Sequence, residues 1–330
     1  MNVSIGPLLP HLRPHLSDLV GEPAWRKIES LTRCLPPFGH SGAFEVRLGA
    51  EAGPVDISLS SDGPMGKQRM AEALAGEGAL PAAAGVAPLL AEWVQPGTRL
   101  SERTRILWLE YDLAEETVHP PMIYFGLRAP SGSETGELME HARRLVSCRP
   151  LSPRQRETLE LCFDALPPGG AISFVADQSP ARPVPDLRLV ADLLREDVLA
   201  WLEAIAWPGD REACRQALSL LGEGSPYPSI YLDVGEQVRP SLGIEPHLPD
   251  PRKVPGVWDA FLRHLAERGA ATPEQLSAVL RWAGSATIEM PGMEPLIRLD
   301  RLPGFKLVLD ASGRLTAKVY LAFCTRRALF

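Results

Sequence analysis

The stretch Phe305-Lys306-Leu307-Val308-Leu309-Asp310, then Ala-Ser-Gly-Arg, then Leu315-Thr316-Ala317-Lys318-Val319-Tyr320-Leu321-Ala322-Phe323 decides the fold. Apolar residues recur at alternate positions on both sides of a short glycine-containing turn, as in a β-hairpin with one buried face. Phe305, Leu307 and Leu309 share a face with Leu315, Val319, Leu321 and Phe323. Lys306, Asp310, Thr316, Lys318 and Tyr320 share the other.

The same design repeats upstream. Residues 44–48 with 55–59, 106–113 with 122–128, 171–177 with 187–191, and 229–234 with 241–245 each read as two alternating strands. Helix-period stretches lie between the hairpins, mostly in pairs: 8–20 with 24–35, 65–77 with 86–94, 136–148 with 153–166, 195–206 with 209–221, and 257–268 with 273–283. Ser152-Pro153 and Thr272-Pro273 supply start signals, and Gly269 a stop. The order is therefore α-α-β-β five times, with a longer connection expected over residues 285–302.

Ten antiparallel strands with helix pairs returning on one side predict a closed barrel ringed by helices, an α+β fold spanning residues 1–330 as one domain. Closure removes sheet edges, and a barrel this wide cannot fill its interior with aliphatic side chains. The aliphatic face of each strand then meets the helices, and the mixed face lines a lumen.

Composition narrows the function. The chain has 330 residues, 45% hydrophobic and 23% charged, with a formal net charge of −7. That balance, with basic residues scattered, argues against a nucleic-acid footprint. The five cysteines (Cys34, Cys148, Cys162, Cys214, Cys324) form no CxxC pair, so neither a zinc site nor a disulfide framework is expected. The first residues are broken by prolines and lack the apolar core of a signal peptide. No run of ~18 apolar residues occurs. The expectation is a cytoplasmic protein with no membrane partner.

Five αα-ββ units with two-faced strands resemble the ABBA, or PT-barrel, fold of soluble aromatic prenyltransferases. Gly42-Ala43-Phe44-Glu45-Val46-Arg47-Leu48 is similar to the first barrel strand of the indole-type enzymes, and Lys318-Val319-Tyr320 to their Lys-x-Tyr pattern. The resemblance implies that Glu45 orients an aromatic acceptor, while Lys318, Tyr320, Lys306 and Tyr124 contact an allylic diphosphate. The sequence departs from the pattern elsewhere, with Met122-x-Tyr124 and Ser229-x-Tyr231 on the comparable strands. A second likeness lies in Trp108-Leu-Glu-Tyr-Asp-Leu113 and Pro121-Met-Ile-Tyr-Phe-Gly-Leu127. These are similar to peptide-binding accessory proteins of crocagin-type pathways, which make peptide natural products ribosomally.

The mixed faces separate the two implications. Acidic candidates for the lumen are Glu45, Asp56, Glu110, Asp112, Asp233, Glu245 and Asp310; basic ones are Arg47, Arg128, Arg188, Lys306 and Lys318. A diphosphate needs convergent cations, and acid outweighs base here. Trp108, Tyr124, Tyr231 and Tyr320 can stack on aromatic or cationic groups, and Glu110, Asp112 and Asp233 can pair with cations. The ligand-binding expectation therefore covers Trp108, Glu110, Asp112, Tyr124, Arg128, Tyr231, Asp233, Lys306, Lys318 and Tyr320. Glu110 with Asp112, or Asp233 with Glu236, has no histidine nearby in sequence, so no metal and no cofactor is expected. The leading expectation is a non-catalytic holder of a precursor peptide, lying in the lumen or added as a strand, with homodimer formation left open. The rival is an aromatic prenyltransferase using Glu45, Lys318 and Tyr320.

Overall fold

A computed structural model describes residues 5–33, 35, 41–49, 55–75, 85–114, 120–128, 130–146, 150–177, 186–290 and 293–327. Strands β1 (Ser41–Arg47), β2 (Val55–Asp62), β3 (Thr104–Asp112), β4 (Met122–Leu127), β5 (Ala171–Asp177), β6 (Leu187–Asp192), β7 (Ser229–Val234), β8 (Val238–Glu245), β9 (Gly284–Met290), β10 (Met293–Leu309) and β11 (Leu315–Arg327) form one antiparallel sheet. Its order is β11-β1-β2-β3-β4-β5-β6-β7-β8-β10-β9, and β10 also pairs with β11. Ten strands therefore close on themselves, and β9 flanks the outer half of β10.

The helices are α1 (Leu9–Leu12), α2 (Glu22–Arg33), α3 (Gly63–Ala75), α4 (Ala87–Val94), α5 (Arg99–Arg103), α6 (Gly132–Leu145), α7 (Pro153–Asp164), α8 (Val198–Ala204), α9 (Arg211–Ser219), α10 (Pro255–Glu267) and α11 (Pro273–Trp282). They precede the hairpins in pairs as the periodicity predicts, with the short α5 added before β3. Ser152 accepts a hydrogen bond from the Gln155 N–H at the start of α7, and Thr272 forms a capping box with Gln275 at α11. Gly269, at φ +65°, stops α10 in the left-handed conformation that glycine adopts without strain.

The aliphatic face of every strand turns outward to this helix ring. Phe44 of β1 lies against Trp25 of α2, Trp282 of α11 and Phe323 of β11. Phe305 of β10 packs against Trp258 and Phe261 of α10. One continuous core runs between helices and barrel wall, and a separate small cluster around Met122, Tyr124, Ala176 and Val190 lies inside. The core is thus a shell, which leaves the lumen to polar and aromatic side chains.

Two expectations need correction. Residues 285–302 are not a long connection: they form most of β9 and the first half of β10. Pro295, Pro303 and an arginine in the apolar register at position 301 hid the alternation. Asp310 does not line the lumen; it accepts backbone N–H bonds from Ser312 and Arg314 in the β10–β11 turn and pairs with the Arg314 side chain. No described helix is long and apolar enough to cross a membrane.

Candidate functional site

Strand register sorts the inward-facing residues into two tiers. Glu45 stands opposite Asp56, and Asp56 opposite Asp112. Arg188 stands opposite Asp233, and Lys306 opposite Lys318. These charged residues form the first tier, except Asp112, which lies at its exposed rim. Stepping two residues along each strand, in the direction that alternates between antiparallel neighbours, reaches Ala43, Ser58, Glu110, Val190, Tyr231 and Tyr320, and a further two-residue step on β3 reaches Trp108, whose cross-strand partner is Tyr124. These line a cavity of about 300 Å³ together with Phe174 and, at its far end, Asp192, Ser229, Glu245 and His247. Its volume is at the lower end for small-ligand sites.

The ionic tier largely neutralises itself. Arg188 grips Asp233 with two hydrogen bonds of 2.8 and 3.1 Å, both side chains mostly enclosed. Lys318 donates to Glu45 across the β1–β11 seam. Burial alone would raise the Glu45 carboxyl, but the Lys318 and Lys306 charges override it and hold the group down at about 2. Lys306 Nζ sits 3.6 Å from the centre of the Tyr231 ring. Burial, reinforced by the Arg188 charge, lowers this lysine to about 8. Asp56 has one oxygen without a hydrogen-bond partner. Burial and the neighbouring Glu45, Glu110 and Asp112 charges push it up to about 8, so it holds its proton at neutral pH.

The cavity tier is different in character. Tyr231 donates its hydroxyl to Glu245, and Ser229 donates to Asp192 while lying 2.8 Å from His247 Nε2. Glu110 makes no hydrogen bond to any described residue, and burial followed by the Glu45 charge raises its carboxyl. Trp108 and Tyr124 are cross-strand partners in the wall.

Of the expected ligand-binding residues, Trp108, Glu110, Tyr124, Tyr231 and Tyr320 meet at the cavity. Asp233, Lys306 and Lys318 lie in the ionic tier, where Glu45 joins them. Asp112 is exposed at the end of β3, where it accepts from the Ala114 N–H, and Arg128 is exposed beyond β4. Sequence reading missed Phe174, Asp192 and His247. A bulge in β5 between Ile172 and Phe174 breaks strict alternation, so Ser173 and Phe174 both reach the lumen. Parity on β6 would have found Asp192; His247 lies past the end of β8 and carries no such signal. Cys34, Cys148, His40 and His119 lie outside the described residues. Among those described, no three His, Cys, Asp or Glu side chains are grouped to hold a metal ion.

A larger groove of about 580 Å³ runs outside the barrel between the start of α7 and the β7–β8 turn. Its Arg143 and Arg239 are held by Asp177 and Asp186. It lacks the aromatic wall of the lumen, and we take the lumen as the site.

Neither a family model nor a curated sequence matches the chain. Solved structures do. Prenyltransferase PriB, in ternary complex with L-tryptophan and dimethylallyl thiolodiphosphate, is 13% identical with a TM-score of 0.58, covering 98% of this chain and 96% of that one. The 6-dimethylallyltryptophan synthase from Micromonospora olivasterospora, in complex with DMASPP and Trp, is 13% identical at a TM-score of 0.57, covering 97% of each chain. The 5-dimethylallyltryptophan synthase from Streptomyces coelicolor is 13% identical at 0.51, covering 98% of this chain and 97% of that one. At such identity the likeness speaks for architecture, and it agrees with the strand order: this chain has the PT-barrel fold of the aromatic prenyltransferases.

Proposed function

We propose that the chain is a non-catalytic binding protein that holds a peptide in its barrel. The observation that carries this reading is the pairing inside the ionic tier. Two of its cations, Arg188 and Lys318, are already bound to Asp233 and Glu45, and Glu110 faces the same interior. A diphosphate entering there would have to displace carboxylates from their cations and then sit beside them, at a cost of several kcal/mol in a partly desolvated site. A peptide side chain meets no such barrier at the aromatic cavity. A role in maturing a ribosomally made peptide rests on the likeness carried by residues 108–113 and 121–127.

One observation favours a second reading, aromatic prenyl transfer. Arg188, Lys306 and Lys318 lie close enough for their charges to act on one another, and Glu45 faces the lumen beside Tyr320. In that reading Glu45 orients the acceptor, while Lys318 and Tyr320 contact the donor. The fold similarity to aromatic prenyltransferases supports this second reading and is consistent with the first.

Calorimetric titration separates the two. Dimethylallyl diphosphate, with and without magnesium, is expected to bind no tighter than millimolar, whereas peptides bind in the micromolar range and lose at least tenfold on Trp108→Ala. Micromolar diphosphate binding that is abolished by Lys318→Ala would overturn the proposal in favour of prenyl transfer.

A further inference from the structure

Three carboxylates line the cavity, and they are not equivalent. Glu245 accepts the Tyr231 hydroxyl, and Asp192 accepts from Ser229. Glu110 has no hydrogen-bonding partner among the described residues, although its strand neighbours enclose it, and the charges of Arg188, Lys306 and Lys318 act on it without a hydrogen bond. A carboxylate in such a place is costly unless a donor or a cation meets it.

The walls around it are aromatic: Trp108, Tyr124, Phe174, Tyr231 and Tyr320. Two of these rings already carry cations of the protein itself. Lys306 lies over Tyr231, and the Arg105 guanidinium is 5.9 Å from the centre of Phe174. Ring faces with a carboxylate beside them form a cage for organic cations, because the ring quadrupole and the full charge attract the same partner. An uncharged aromatic guest would fill the space yet bring Glu110 no hydrogen-bond donor.

Resting on the peptide-holding reading above, we infer that the group entering this cavity is an alkylammonium or guanidinium, with Glu110 as its counter-charge and Trp108 and Tyr124 as its walls. The cation can be a lysine or arginine side chain or the α-ammonium of a peptide terminus. The cavity then selects which end or residue of the peptide is anchored, and the ionic tier beyond it sets the depth of insertion.

Three synthetic pentapeptides of otherwise identical sequence test this by calorimetry. One is acetylated with a central lysine, one is acetylated with norleucine in its place, and one carries norleucine with a free amino terminus. The lysine peptide, the free-amine peptide or both are expected to bind at least tenfold tighter than the acetylated norleucine peptide, and which of them does so distinguishes side chain from terminus. Glu110→Gln is expected to erase that preference while leaving the norleucine peptide unaffected. Equal binding of all three would overturn the cation assignment and leave the peptide-holding reading intact. Binding of none would overturn both. A preference that survives Glu110→Gln would overturn the role of Glu110, and should that variant not fold, the comparison on the unaltered protein still decides for or against a cation.

Discussion

Lys318 and Glu45, 273 residues apart in sequence, form an ion pair across the seam where β11 meets β1 and the barrel closes. Glu45 is only 3% exposed, so its charge depends on that lysine.

Removing one partner should therefore be worse than removing both. Lys318→Met is expected to destabilise the fold by about 3 kcal/mol, because it leaves a buried carboxylate without its cation. Adding Glu45→Gln should restore most of the loss, since neither charge is then stranded. Urea unfolding of the two single variants and the double variant measures the coupling. Additive losses would show that the pair does not carry the seam.

Asp56 predicts the pH dependence of stability. Its carboxyl titrates at about 8 in the folded chain against an ordinary value of 3.8. The folded state therefore binds this proton more tightly than the unfolded state. The resulting stability is fully present below pH ~4 and is lost as pH rises towards 8. Asp56→Asn should flatten that decline and gain about 2 kcal/mol at pH 8. Thermal unfolding from pH 5 to 9 checks it; parallel curves for the two proteins would refute it.

Arg301 is 6% exposed, and its Nε and Nη1 have no partner among the described residues. Its guanidinium lies 5.6 Å from the centre of the Trp282 ring. The ring offsets part of the cost of burying the charge, but hydrogen bonds do not. Arg301→Met keeps the hydrocarbon stem over the indole and removes the charge, so it should stabilise the protein by about 1 kcal/mol. A fall in the unfolding midpoint would mean that the guanidinium is satisfied by a group beyond those described.

Local periodicity made most of the architecture readable. Phe305, Leu307 and Leu309 alternate with Lys306 and Val308 because successive side chains of a strand point to opposite faces. That rule alone separates a helix-facing shell from a lumen, five times over. It failed at β9 and the start of β10, where two prolines and Arg301 interrupt the pattern, and at β5, where a bulge changes the parity.

The charge state of the lumen was not readable in this way. Composition along the strands could show that Glu45, Asp56, Glu110, Arg188, Asp233, Lys306 and Lys318 point inward. Which acid meets which base depends on register and on closure, between residues 45 apart for Arg188 and Asp233 and 273 apart for Lys318 and Glu45. Burial then decides whether each group is ionised, because the cost of charge depends on distances that no local pattern encodes. Sequence set the faces of the wall; the tertiary structure paired Lys318 with Glu45 and Arg188 with Asp233, and left Glu110 facing the cavity without a hydrogen bond.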